Sequence, residues 1–401
     1  MRQNVTQVLA AEGLVLESLK TTATSAEVRL RNPRFGQTAQ ALGRAARALT
    51  VALPHSVETI TIVPVVNGIP TTATTFARSD LEELEYAPDG SWQSFVRATT
   101  VDAADLAPTP VTPGIFPKFS WGLSPYFEPQ FFDPNNPALA DIGAKLTASW
   151  EPAPGLIFSG ELRQKVVGNL NKSRDANRFV LPPTAPPKVR SEGFRYNQFS
   201  DLTVRHLTAE YFFRPGANLY GRVTAGYLEQ MYGGVSTEVL WKEPGRRLSL
   251  GLEVNYARQR EFKQRFGFQN YDVITGHASA YYDFGEGFHG QLDVGRYLAG
   301  DWGATVTLDR EFDNGWKVGA FATKTTVSSA EFGEGSFDKG IRLTIPLDWV
   351  TGKPSRRTQD VTLRPVQRDG GAKLEVRNRL YDKVRGDSAP DLAASWGRFW
   401  R

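Results

Sequence analysis

Residues 302–323 read WGATVTLDREFDNGWKVGAFAT, and their alternation decides the fold. Trp302, Ala304, Val306, Leu308 and Phe312 share one face of an extended chain, with Arg310 the exception. Gly303, Thr305, Thr307, Asp309 and Glu311 share the other. A period of two marks a strand with one apolar and one polar face. Asp313-Asn314-Gly315 is a tight hairpin turn. After it Trp316, Val318, Ala320 and Ala322 alternate with Lys317, Gly319, Phe321 and Thr323. The same period runs through 248–256, where Leu248, Leu250, Leu252, Val254 and Tyr256 oppose Ser249, Gly251, Glu253 and Asn255. It recurs where Leu292, Val294 and Leu298 oppose Gln291, Asp293, Gly295 and Tyr297.

Working outward, such segments of about ten residues, split by turns, fill the chain from Lys118 to about Leu380, the pattern of a transmembrane β-barrel. Twelve strands are expected to start near Phe119, Ile142, Leu156, Leu202, Leu219, Val235, Leu248, Val273, Phe288, Trp302, Trp316 and Phe337. Residues 357–366 and 373–380 suit one more hairpin around Arg368-Asp369-Gly370-Gly371, so twelve or fourteen strands satisfy the even count of bacterial barrels. Trp121, Trp150, Tyr211-Phe212-Phe213, Trp241, Tyr281-Tyr282, Trp302, Trp316 and Trp349 lie near segment ends, where aromatic girdles sit. Lipid is assigned to the apolar face, because Arg or Lys at the midplane there costs about 2–4 kcal/mol. Arg296 and Arg310 fall on that face and are expected near an interface or at a bulge. The proline-rich connection 168–200 is a loop, outside the cell or folded into the lumen. A soluble all-β protein is the rival reading.

Composition narrows the classes. With 24 Phe, 13 Tyr and 9 Trp in 401 residues, the chain is too aromatic for a disordered coil. No window approaches the roughly 18 apolar residues of a transmembrane helix. There is no Cys, hence no disulfide framework. A net charge of +4, from 47 basic and 43 acidic residues, makes no case for nucleic acid. Met1-Arg2-Gln3-Asn4 opens no apolar leader, so an envelope protein of this sequence is expected to be a fragment or to start upstream.

Residues 1–98 read as a small α/β module. Thr38–Leu53 is an amphipathic helix, Glu58–Val66 a β-branched strand, and Ser79-Asp80 a cap for Leu81–Leu84. In the periplasm such a module docks a partner or gates a substrate; otherwise it simply packs. Residues 99–117 are a proline-rich linker, 118–381 the barrel and 382–401 a tail whose aromatic end, 392–400, suggests a barrel terminus.

The site chemistry is sparse. His55, His206, His277 and His289 lie in no metal-ligand spacing, and no phosphate-cradling loop or nucleophile elbow occurs, so neither metal nor cofactor is expected. By parity Tyr297, Asp309, Glu311 and Phe321 share the polar face, where rings can stack on sugars and polar groups take hydroxyls. They can equally just fill the lumen. Arg258, Arg260, Arg265 and Arg296 can meet an anionic polymer or pair with Glu253 or Asp293. Glu331, Glu334 and Asp338 can supply the carboxylate pair of a sugar hydrolase, with His277 a possible base, or form a polar turn.

Several motifs together carry a family resemblance. They are Tyr227–Val235 (YLEQMYGGV) with Glu238–Trp241, Gln259–Phe262, Phe266-Gly267-Phe268 with Tyr271, and Thr275-Gly276-His277. Gly295–Asp301, Ala322–Thr325, Phe332–Gly340, Arg368–Ala372 and Val189-Arg190-Ser191 complete the set. Together they resemble the YjbH family of exopolysaccharide and capsule export proteins, over about Lys118–Tyr381 and more loosely in the N-terminal module. The resemblance implies an outer-membrane barrel lipoprotein acting with extracellular polysaccharide, outer-membrane lipid and other polysaccharide secretion proteins. It carries over no catalytic residue. Family members are larger, with a leader, a lipobox Cys and a further barrel-like region, so this chain is expected to match their C-terminal portion. The expected function is non-catalytic polysaccharide secretion or assembly; the alternatives are a barrel-embedded hydrolase and a soluble carbohydrate-binding protein.

Overall fold

The computed structural model describes residues 1–131, 136, 138–174, 183, 185–199, 201–328, 331, 337–364 and 369–401. An α/β module comes first: α1 (Arg2–Ala11), β1 (Val15–Thr21), β2 (Ser25–Arg31), α2 (Thr38–Ala52), β3 (Thr59–Val66), β4 (Ile69–Pro70), β5 (Thr72–Ala77), α3 (Arg78–Leu84), α4 (Gly90–Arg97) and β6 (Thr99–Asp102). Its sheet runs β1-β2-β3-β5-β6, with β4 also paired to β3. β2 and β3 are parallel because α2 crosses between them. α2 is rich in Ala, the best helix former, and Leu42, Ala45, Ala46 and Leu49 recur at helical spacing on its buried face. They meet Val5, Leu9, Val28, Ile60 and Ile62 in one core.

Two local readings change. Thr99–Asp102, taken as linker, pairs with Thr72–Thr75 as the sheet's last strand. Ser79 does not cap its own helix; its N–H and hydroxyl donate to Glu58 at 3.1 and 2.6 Å.

Thirteen antiparallel strands then pair in chain order. They are β7 (Lys118–Phe131), β8 (Ala138–Ala153), β9 (Leu156–Gly168), β10 (Leu202–Gly216), β11 (Leu219–Tyr227), β12 (Tyr232–Lys242), β13 (Leu248–Arg260), β14 (Phe268–Gly285), β15 (Phe288–Arg296), β16 (Trp302–Glu311), β17 (Lys317–Thr325), β18 (Asp338–Pro346) and β19 (Thr358–Leu363). The result is a nearly closed barrel, in which β7 and β19 pair with β8 and β18 but not with each other among the described residues.

Parity is as read. Leu250, Leu252, Val254, Val306 and Leu308 point outward and stay 47–58% exposed, while Ser249, Glu253, Asn255, Thr305 and Thr307 point inward and are buried. Arg296 ends β15, and Arg310, next to last in β16, lies between the Phe288 and Phe312 rings at 4.8 and 5.0 Å. Phe212 and Tyr281 depart from the expected girdle: they face inward and are buried.

Among the described residues the barrel strands number thirteen, within the expected range of about twelve to fourteen but not the even count. Thr358–Leu363 is the first arm of the expected last hairpin, but residues 373–380 form no strand. They run inside the barrel, because Lys373 and Arg379 pair with inward carboxylates instead of joining a ladder.

This C-terminal segment continues through α5 (Leu380–Val384) and one turn of 3-10 helix (Arg385–Asp387) to α6 (Ala389–Ser395), which packs on α2. The aromatic end is therefore no barrel strand. Phe399 is buried in the module core, with its ring 5.5 Å from Phe76 and 4.7 Å from Trp396. The short hairpin turns face the module. At that end Arg214 donates to Asp102 at 2.7 Å and to the Pro70 carbonyl at 2.7 Å, and Arg31 meets Glu151 at 2.6 Å.

Asp387 joins segment and module. Its carboxylate accepts from Thr38 at 2.8 Å and Thr71 at 2.7 Å. Burial raises its pKa, against the pull of the two hydroxyls. A carboxyl raised on folding stabilises at pH below its ordinary range, and that stability is lost as pH rises through the raised value. The thermal midpoint of the wild type, relative to Asp387→Asn, should therefore fall from pH 4 to pH 8. A constant difference would refute this coupling.

Candidate functional site

The lumen is lined by inward side chains and filled by the C-terminal segment. Gly319 leaves room for the Asp309 carboxylate, and Gly340 for the Phe321 ring: a Cβ on either would stand 1.6 Å from Asp309 Oδ1 or 2.6 Å from Phe321 Cε1. Strands β11 to β13 bring Arg222, Glu238 and Glu253 together. The fully buried Arg222 donates to Glu238 at 2.9 Å and reaches Glu253 at 3.5 Å.

The segment answers the wall group by group. Lys373 pairs with Asp293 at 2.9 Å, and Arg379 with Glu253 at 2.7 Å. Arg385 pairs with Glu311, which Lys317 also reaches at 3.1 Å. Asn378 donates to Glu210 at 2.7 Å, and the Leu380 N–H to Glu238 at 3.1 Å. Tyr381 stacks on Tyr281 with centroids 3.9 Å apart. Lys373, Arg379 and Arg385 recur every six residues, a spacing visible in the sequence, where the first two were read in a strand over 373–380 and Arg385 in the tail.

One end of the lumen is closed by a collar. Asp369 accepts the N–H groups of Val189, Arg190 and Ser191 at 2.8, 2.8 and 2.9 Å, and the Ser191 hydroxyl at 2.7 Å. Arg190 forms a two-pronged pair with Glu229, both contacts at 2.8 Å. Asp301 accepts the Gly371 N–H at 2.8 Å, and Leu298 N–H donates to Ala372 at 2.9 Å. Arg260 is buried and donates to the carbonyls of Val204, Glu229 and Gln264 at 2.8, 2.7 and 3.0 Å, not to a carboxylate. Motifs far apart in sequence thus converge on residues 369–372.

Among the described residues the expected site residues form no single cluster, although Phe321 and Asp338 share Arg364. Tyr297 is buried, with its hydroxyl 2.6 Å from Thr305 and its ring 4.7 Å from His277. Asp309 pairs with Arg342 at 2.6 Å, and Phe321 lies under Arg364 at 4.9 Å. Arg258 is exposed on the outward face, 5.6 Å from the Phe268 ring, so its placement in the lumen is corrected: it shares the parity of Leu252 and Tyr256. Asp338 is buried 3.5 Å from Arg364, and Glu331 accepts from the Ser328 hydroxyl at 2.8 Å. Glu334 lies outside the described residues. His277 lines a void of about 10 Å³ with Glu238, Glu253, Lys373 and Arg379, room for roughly one water.

Breaking a buried pair from one side costs about 3–5 kcal/mol, because a charge is stranded. Arg379→Met should lower thermal stability by that order, and Arg379→Met with Glu253→Gln should recover much of the loss. Equal losses in the single and double variants would show that the pair is not coupled.

Comparison with known proteins adds the lineage. The family described as "Exopolysaccharide biosynthesis protein YbjH" matches residues 1–386. A protein of Escherichia coli strain K12 described as "Uncharacterized lipoprotein YjbH" is 35% identical over 272 residues, 66% of this chain and 38% of that protein. The match thus spans well under half of the relative's length. These matches show the family: the chain belongs to the YjbH exopolysaccharide biosynthesis family.

Proposed function

We propose that the chain is an outer-membrane β-barrel that takes part in exopolysaccharide secretion or assembly and performs no bond chemistry. One observation carries the membrane reading. The outward faces of successive strands present Leu250, Leu252, Val254, Ile274, Leu292, Val294, Val306 and Leu308, each at least 43% exposed, in a continuous apolar band. Such a band is costly in water and natural in lipid. Trp121, Trp150 and Trp302 are exposed as well, as interfacial anchors would be. Short turns on the module side suit the periplasm.

The family's name supports the polysaccharide role. The relative described as a lipoprotein is consistent with the cell envelope. The partners follow as extracellular polysaccharide, outer-membrane lipid and other secretion proteins. The non-catalytic reading is supported by the filled lumen: with the segment in place, Glu210, Glu238, Glu253, Asp293 and Glu311 each accept from it, which leaves no lumen carboxylate of this set free for acid–base work.

The test is outer-membrane fractionation with heat-modifiability on a detergent gel. The folded chain should stay in the membrane through carbonate and migrate differently before and after boiling. Leu252→Arg or Val306→Arg should destabilise it by about 2–4 kcal/mol, and a charge at the Asn314 turn should not. Release by carbonate would instead favour the soluble reading. Glu334→Gln with Asp338→Asn should leave polymer length unchanged; altered length would assign chemistry to the barrel.

A further inference from the structure

The segment from Asp369 onward enters the lumen at the collar, leaves it at the short-turn end and docks on the α/β module. We propose that this segment is a gate held from outside the barrel. Its release from α2 clears the lumen and uncovers a carboxylate belt that admits neutral or amine-bearing sugar chains and turns away polyanionic ones. The proposal rests on the outer-membrane reading above.

Three observations carry it. First, the barrel does not need the segment for its ladder. Residues 372–376 have no regular secondary structure, and among the described residues no barrel strand follows Leu363. The segment can move with every strand pair intact. Second, its firmest apolar anchorage outside the lumen is the module. Phe399 and Trp396 sit in the module core, Trp396 Nε1 donates to Ser94 at 3.0 Å, and Arg47 donates to the Trp400 carbonyl at 2.8 Å. Gly43 lies so close that a Cβ there would stand 1.7 Å from the Phe399 carbonyl oxygen. A partner acting on the module can therefore set the lumen.

Third, the groups that the segment covers have a definite chemistry. Glu210, Glu238, Glu253, Asp293 and Glu311 all accept from it. Among wall cations, Arg222 pairs with Glu238 and Glu253, and Lys317 with Glu311. Lys242, buried at the end of β12 with its Nζ 5.8 Å from the Tyr381 ring, faces the same space, so once uncovered five carboxylates face three cations. Beside them His277 is buried, with neither ring nitrogen partnered, so the belt already holds an unused polar group. Rings of carboxylates select cations, and they accept hydroxyl or ammonium donors as they accept those of the segment.

The test uses the full chain in planar bilayers, with potassium chloride as the probe and heat-modifiability as the check on folding. Wild type should be closed. Gly43→Val and Phe399→Ala, which strike the latch by overfilling and by emptying it, should give conductance steps with a reversal potential on the cation side. Adding Glu253→Gln and Asp293→Asn to the open variant should move that potential toward zero. Folded, inserted variants that stay closed, a wild type that conducts as they do, or anion selectivity would each overturn the gate. Should Gly43→Val not fold, Phe399→Ala carries the test alone. A wild type that neither inserts nor shifts on boiling overturns the outer-membrane reading, and the gate with it.

Discussion

The pair between Arg379 and Glu253, 2.7 Å long inside the barrel, is the constraint on which the rest of the structure turns. A thirteen-stranded wall encloses more space than a small barrel fills with its own side chains. That wall points Glu210, Glu238, Glu253, Asp293 and Glu311 inward. Buried carboxylates demand partners, and Arg222 serves only two of them. The chain meets the demand by feeding its own cations into the lumen, Lys373, Arg379 and Arg385 in turn. Apolar seals close the two ends. Leu298, Tyr232, Ala372 and Leu374 cluster at the collar, while Phe212, Tyr281, Leu380 and Tyr381 cluster toward the module.

The same filling explains why two aromatics leave the outer face. Phe212 and Tyr281 have inward parity in strands whose neighbours Tyr211 and Tyr282 point out. A run of adjacent aromatics near a strand end reads as girdle. Only alternate members of the run can face outward, and here the others meet the segment. Ile69, from the module, joins the same cluster, so barrel, segment and module share one contact surface.

Much of this was legible in the sequence, and the limit is physical. Period-two alternation is local, so strand starts, facing and the Asp313-Asn314-Gly315 turn could be read directly. The placement of Arg310 at a strand end followed from the cost of charge on an apolar face. What the alternation cannot say is which cation meets which carboxylate across the lumen. Glu253 and Asp293 were recognisable as ion-pair acceptors, but their partners lie 126 residues away at Arg379 and, for Asp293, at Lys373. Residues 373–380 alternate as a strand would, and only the inward demand for cations draws them away from the sheet. Tyr297 and Phe321 were rightly placed inside, where their contacts are Thr305 and Arg364. Arg258 was open to correction by its own parity with Tyr256.

The odd strand count and the filled lumen are therefore one event. Thirteen antiparallel strands leave β7 and β19 running in the same direction, so the two edges cannot close on each other with an antiparallel ladder. A fourteenth strand, antiparallel to both, would have done so, and residues 373–380 follow β19 at the right place in the chain. Spending them inside the barrel satisfies buried charge at the cost of a seam. The seam is tolerable where the edge is poor at pairing: β7 carries Pro125 and Pro129, which have no N–H to offer, and β19 is only six residues long. Electrostatics inside the lumen thus sets the topology of the wall around it.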